Sequence, residues 1–289
     1  MLTKNNQSDK SKDKYSAVWV SHSSMGDFLK CPRAYYLHNV YKDPKTKRKI
    51  NIVNPSLALG VAVNEVLESL AKYKTENRFL ESLMPAFDKV WKKVSGKWGG
   101  FKSLDEENEV RARAIKMIER VERNPGPLTQ KTVKLKAGVN NMPPNFFLSE
   151  EDNIILCGKI DWLIWKPEDD SVHILDFKTG KNEENENSLQ LPIYNLLLHN
   201  LQKRKVSGAS YWYLEKDEGS SEAALPSLDE SLEKVMKVAK EVKVAREKGE
   251  FKCPKGEDGC YFCKPFEKIL RGEAEYVGVG EMNQDLYML

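Results

Sequence analysis

The chain has 289 residues, 40% of them hydrophobic and 31% charged, which suits one large domain with a real core and a well-solvated surface. Its 46 basic and 43 acidic residues leave a net charge of +3, too small to argue for nucleic acid on charge alone. Five cysteines, an odd count, speak against a simple disulfide framework, and no apolar stretch is long enough to span a bilayer.

The polar, lysine-rich start carries no secretory signal, so the sequence reads as cytoplasmic, with cysteines serving as metal ligands or core residues. Residues 1–15 read as a disordered tail, since nothing apolar there could fold them. Residues 16–289 read as a single domain. Its first part is helical over 21–41, interrupted by Pro32, with Phe28, Leu29, Tyr35, Tyr36 and Leu37 as buried candidates. A basic loop over 42–49 follows. Val63, Val66, Leu67 and Leu70 recur at helical spacing and predict a helix over 57–73. Two more helices, over 82–97 and 106–123, fall within a helical insertion at about 71–131.

β structure comes next, with short strands over 132–138 and 146–149 and stronger ones over 154–165 and 172–177, rich in β-branched and aromatic residues. An acidic, Asn-rich loop spans 181–187 and a helix 189–201. The strand over 206–214 carries Tyr211, Trp212 and Tyr213. These three read chiefly as core, with base stacking by Trp212 or its neighbours as the alternative. A long charged helix covers 228–248. Lys42 to Lys49 and Lys203-Arg204-Lys205 offer phosphate contacts, although short basic runs are more often plain solvated surface.

The strands over 154–165 and 172–177 read as an antiparallel hairpin. If Trp165 faces Val172, Asp161 falls opposite Asp176, and paired residues sit roughly 4.5–5.5 Å apart at Cβ. Two carboxylates that close repel each other unless a cation lies between them. Lys178, two residues beyond Asp176, shares its face, while Leu175 and Phe177 point the other way into apolar packing. Two hard oxygen donors and an ammonium around one space suit Mg²⁺ or Mn²⁺ and a phosphate. A bound metal acidifies a water and polarises the phosphate, and the lysine orients the water and offsets charge on phosphorus. A lone Asp-x-Lys would more simply be a solvated surface hairpin; the opposed Asp161 argues against that.

Gly158-Lys159-Ile160-Asp161 and Asp176-Phe177-Lys178-Thr179-Gly180 resemble the core of the PD-(D/E)XK nucleases, in the branch related to the RecB nuclease domain and the CRISPR-associated Cas4 proteins. That branch carries a Gln-x-x-x-Tyr motif on the next helix, and Gln190-Leu191-Pro192-Ile193-Tyr194 matches it, with both side chains on one helix face. The branch also places a metal-holding histidine on an upstream helix. The matching stretch here, residues 60–68, has Asn64 at that position and Glu68 one turn further on. The resemblance implies catalytic roles for Asp161, Asp176, Lys178, Gln190 and Tyr194, and a metal set of Asn64, Asp161, Asp176 and Phe177. The implied fold is α/β: a restriction-endonuclease-like core with a central mixed sheet flanked by helices.

Cys253, Cys260 and Cys263 form C-x6-C-x2-C, with Cys31 far upstream. Four thiolates suit either zinc or an iron–sulfur cluster, and spacing alone does not separate them. One cysteine before the nuclease core and three after it is similar to the iron–sulfur nucleases of the Cas4 and AddB type. That resemblance implies a [4Fe–4S] cluster on Cys31, Cys253, Cys260 and Cys263, stapling the chain ends through a closing segment at 251–270. Cys157, inside a strand, reads as a small core residue.

Together these readings predict a Mg²⁺- or Mn²⁺-dependent deoxyribonuclease, an exonuclease acting on single-stranded DNA or DNA ends. By analogy it would serve CRISPR spacer acquisition or DNA repair beside a Cas1–Cas2-type integrase or a helicase, with no membrane contact. The alternative is a catalytically weakened or inactive iron–sulfur DNA-binding module in such a complex. No G-x4-G-K-[ST] motif is present, so any motor would be a separate protein.

Overall fold

The structure is a computed structural model that describes residues 16–136, 138 and 142–289; the tail expected to be disordered lies outside them. β1 (Val18–Val20) leads into α1 (His22–Lys30), whose N-terminus is fixed by a reciprocal capping box between Ser21 and Ser24. Cys31 is extended and ends α1. Pro32 then opens α2 (Pro32–Tyr35), where its missing N–H costs nothing, and the chain continues into one π-helical turn, Tyr36–Val40. Phe28, Tyr35 and Leu37 are buried, Tyr36 is half-buried, and Leu29 is 56% exposed, against expectation. Met25 and Phe28 define the inward stripe of α1, and the next residue is rotated by about 100° to face out.

β2 (Lys49–Ile52) precedes α3 (Pro55–Ser69), which is capped by Asn54 and extended by a short 3-10 turn over Leu70–Lys72. α4 (Met84–Trp91) and α5 (Leu104–Arg123) complete the helical insertion. Their apolar stripes, with that of α3, pack on one face of a four-stranded sheet through Trp162, Ile164, Leu175, Phe177, Trp212 and Leu214.

β3 (Asn145–Ser149) and β4 (Ile154–Cys157) are followed by β5 (Trp162–Lys166), β6 (Ser171–Lys178), α6 (Gln190–Leu201), β7 (Val206–Tyr213), β8 (Ser221–Ala223) and α7 (Leu228–Lys248). The main sheet runs β5-β6-β7-β8; β6 pairs antiparallel with β5 and parallel with β7, with α6 as the crossover. Its second face, carrying Leu163, Val172, Ile174 and Ala209, packs on α6 and α7. α8 (Lys264–Leu270), β9 (Glu275–Val279) and β10 (Gln284–Met288) close the chain.

The fold is mixed α/β as expected, with the four-stranded mixed sheet between helices, and among the described residues two further three-stranded sheets stand beside it. The strand expected over 154–165 is two strands: β4 pairs with β1 and β3, whereas β5 pairs with β6, and residues 158–161 turn between the sheets. The expected hairpin register holds, with Trp165 opposite Val172 and Trp162 opposite Leu175. No strand forms among the described residues of 132–138; only Thr132 bridges to Ile164. β10 pairs parallel with β2, which ties residues 284–287 to residues 49–52 independently of the cysteines.

Candidate active site

Asp176 sits near the end of β6, on the face it shares with Val172 and Ile174, so it points at α6 rather than at the α3 side. Gln190 and Tyr194, one turn apart at the start of α6, meet it there. Gln190 Nε2 donates to Asp176 Oδ1 at 2.7 Å and Tyr194 Oη donates to the same oxygen at 3.1 Å. Gln190 Nε2 also lies 3.0 Å from Tyr194 Oη. Asp176 Oδ2 is buried and meets the Lys178 ammonium at 2.9 Å, an ion pair without hydrogen-bond geometry.

Asp161 reaches the cluster from the turn between the sheets. β5 begins only at Trp162, and the N–H of Phe177 donates at 3.2 Å to Asp161 Oδ2 in place of a strand carbonyl. The turn packs against α6: a Cβ on Gly158 would lie 2.8 Å from Leu197 Cδ1, so a larger residue there would make the Leu197 side chain shift. Phe177 itself directs its ring into the core against Trp212, so only its main chain is left to face a cation.

Burial, and then the charge of Asp176, push Asp161 up to about 8. Burial likewise raises Asp176, against the opposing pull of Lys178. Lys178 is raised despite burial, because Asp176 and Glu184 stabilise its charge. Tyr194 is raised well above its ordinary value by burial and the two carboxylates, so it acts as a hydrogen-bond donor and not as a base.

Asn64 and Glu68 line one side of an open cavity with Gly60, Lys159 and Thr179. Asn64 Oδ1 is buried and makes no hydrogen bond, which leaves a neutral oxygen donor free for a ligand. Glu68 is engaged by Lys159 Nζ, and its charge contributes to raising Asp161. The carboxylate oxygens of Asp161 and Asp176 are hard donors that fit Mg²⁺ or Mn²⁺ and offer nothing to a soft ion, and Asn64 presents a further neutral oxygen in the cavity it lines with Glu68 and Lys159.

Two residues escaped the sequence reading. Glu184, in the acidic loop after β6, holds Lys178 Nζ at 2.8 Å, and its N–H donates to Tyr213 Oη at 3.0 Å. With Asp176 Oδ2 and Gln190 Oε1, it gives the three-proton ammonium three oxygen neighbours. His22, the first residue of α1, lies 3.4 Å from Ser188 Oγ; its pKa is lowered by burial, with Glu184 and Lys178 among its charged neighbours. Nothing local in the sequence marks either residue, because both arrive through tertiary folding. Of the aromatic trio, Trp212 is fully buried, which removes it as a stacking residue. Tyr211 and Tyr213 lie on the face of Lys178, whose Nζ is 5.0 Å from the Tyr211 ring centre. Arg204 of the second basic run pairs with Asp170 at 2.6 Å.

The four cysteines converge. Cys31 between α1 and α2, Cys253 after α7, and Cys260 and Cys263 before α8 bring their sulfurs within 4.8 Å of one another. Cys263 Sγ lies 3.8 Å from both Cys253 Sγ and Cys260 Sγ. Gly259 adopts φ +74°, and a Cβ there would press on Cys263 Sγ at 3.1 Å. Burial pushes Cys31 up to about 12, whereas N–H donors from Cys263 and Phe262 outweigh burial at Cys260 and bring it down to about 7. The donor set fits a four-thiolate metal centre. One tetrahedral ion about 2.3 Å from each sulfur sets them about 3.8 Å apart, whereas a cubane spreads them wider. Cys157 stays apart, half-buried with Sγ 3.5 Å from the Val20 carbonyl.

Residues 19–266 match the family described as the PD-(D/E)XK nuclease superfamily. The chain belongs to this superfamily. It is therefore a nuclease, and its substrate is nucleic acid. Among solved structures it is similar to a "Putative exonuclease" from Eubacterium rectale, at 14% identity and a TM-score of 0.48 over 92% of this chain and 93% of that one. No curated protein matches the chain in sequence. Among the described residues no helix is long and apolar enough to cross a membrane.

Proposed function

We propose that the chain is a Mg²⁺- or Mn²⁺-dependent deoxyribonuclease of the RecB- and Cas4-like branch, an exonuclease acting on single-stranded DNA or DNA ends. The observation that carries this reading is the convergence of Asp161, Lys178, Gln190 and Tyr194 on Asp176. Asp161 and Asp176, with Asn64 and the main chain of Phe177, would hold the cation. A bound cation supplies an acidified water and polarisation of the scissile phosphate. Gln190 and Tyr194 fix the Asp176 rotamer by donating to Oδ1, which leaves Oδ2 directed toward Lys178. Lys178 places a permanent positive charge beside the site, where it orients the attacking water and offsets charge developing on the phosphate. We assign the protein to the cytosol, working beside a helicase or a Cas1–Cas2-type integrase in DNA repair or CRISPR spacer acquisition.

The cysteine tetrad is read as a [4Fe–4S] centre on the pattern of the iron–sulfur nucleases. A single zinc is the second reading, favoured by the 3.8 Å sulfur spacing. Iron, sulfide and zinc content of the purified protein separates them, the first reading giving a brown protein and the second a colourless one.

A non-catalytic DNA-binding module is the second functional reading, favoured by Asn64 where the branch has histidine. Labelled single-stranded DNA incubated with the protein and Mn²⁺ decides between the two. Cleavage lost in Asp176→Ala supports the enzyme. Tight binding without cleavage in either Mg²⁺ or Mn²⁺ supports the module, and Asn64→His would then be expected to gain activity.

A further inference from the structure

The turn between Cys260 and Cys263 presents two aromatic rings to solvent. Tyr261 is 84% exposed and Phe262 is 42% exposed, their rings edge to face with centres 5.4 Å apart. Exposed aromatics cost solvation and nothing in the core requires them here, whereas the half-buried Cys260 and the buried Cys263 anchor the turn at either end. Lys30 Nζ lies over the Phe262 ring, 5.8 Å from its centre. Lys252, Lys255 and Lys264 stand exposed on the same segment, against the acids Glu257 and Asp258. Arg33, beside them, is neutralised by Glu267 at 2.7 Å.

α1 connects this surface to the active site. Its first residue, His22, neighbours Ser188, Glu184 and Lys178; its last, Lys30, covers Phe262. Eight residue steps at about 1.5 Å each separate the two by about 12 Å. A stacked strand advances about 3.4 Å per nucleotide, so the length of α1 alone corresponds to three to four nucleotides, and the reach from Lys30 to the Phe262 ring adds to the separation from the active site.

We infer that the Tyr261–Phe262 turn is a base-stacking platform for single-stranded nucleic acid, with Lys30, Lys252, Lys255 and Lys264 meeting the phosphates on either side. Every base has a stackable face, so such a contact is indifferent to sequence, and duplex DNA, whose bases are already stacked, gains nothing from it. The position relative to the reacting phosphate rests on the nuclease reading; the binding itself does not.

The test uses the full chain carrying Asp176→Asn, which does not cut, and fluorescence anisotropy of a labelled oligothymidylate of about twelve residues. Tyr261→Ala with Phe262→Ala is expected to weaken single-strand binding at least about fivefold, to leave blunt-duplex binding unchanged, and to retain the bound metal. Tyr261→Phe should bind like the parent. In a separate Tyr261→Trp variant, the new indole emission should be quenched by the oligonucleotide, which reads stacking directly even if the double variant loses its metal. Unchanged affinity in the double variant, or no quenching in Tyr261→Trp, overturns the proposal. Mn²⁺-dependent cleavage by the unmodified protein is scored separately. Patch-dependent binding without cleavage sinks the nuclease reading alone, and cleavage with patch-independent binding sinks the platform alone.

Discussion

Asp161 carries the strongest electrostatic tension in the site. Its carboxyl titrates at about 8 in the folded chain against 3.8 when free, because burial and the neighbouring Asp176 both oppose its charge. The folded protein therefore holds a proton that the unfolded chain has lost, from about pH 4 to about pH 8. Stability of the metal-free protein falls as pH rises through that window. A divalent cation relieves the same repulsion, so adding Mn²⁺ is expected to raise Tm more at pH 8 than at pH 5. Asp161→Asn should raise the metal-free Tm at pH 8 and abolish most of the Mn²⁺ gain. Thermal unfolding of both proteins at the two pH values, with and without Mn²⁺, reads this out; an equal Mn²⁺ gain in wild type and variant would refute it. At this scale the sequence was informative, since the motif order and spacing marked Asp161, Asp176, Lys178, Gln190 and Tyr194. It was silent on Glu184, whose role comes from a loop fold.

At the scale of elements, the site is assembled where two strands and two helices meet. The register of β5 on β6 was legible, because the polar turn between Trp165 and Val172 sets it, although the ladder stops at Trp162 and Asp161 comes in from the turn before it. The division of residues 154–165 between two sheets was not. Gly158, Lys159 and Asp161 interrupt the apolar run, but nothing local shows that the partner strand changes across them. β1, β2, β8, β9 and β10 were missed; β2 pairs with a strand more than 230 residues away, so no hairpin turn marks it. The loop between β6 and α6 adds a third partner for Lys178. Asp176 and Gln190 hold Lys178 from regular elements, whereas Glu184 holds it from this loop, so Glu184 is the partner that can yield when a phosphate needs the ammonium. Glu184→Gln removes a competing anion, and the expected outcome is a KM for DNA lowered a few-fold with kcat little changed. A KM that rises instead would mean that Glu184 is needed to hold Lys178 in place.

The β2–β10 pairing closes the molecule once, and a metal on the cysteine tetrad would close it a second time, from residue 31 to residue 263. Closing so long a loop constrains the unfolded chain, and metal affinity becomes folding energy. Cys260→Ala should therefore release metal and expose both the region around residues 30–40 and the region 250–270 to protease, while the α3–β5–β6 core stays protected. Protection of both segments in the metal-free variant would show that the β2–β10 pairing suffices. The central claim concerns the other centre, the carboxylate–lysine cluster on β6, and single-turnover cleavage of end-labelled single-stranded DNA in Mn²⁺ tests it most directly. Wild type should cut, and Asp176→Ala and Lys178→Ala should each lose about a hundredfold or more in rate. Undiminished cleavage in Lys178→Ala, or no cleavage by wild type in Mg²⁺ or Mn²⁺, would contradict it.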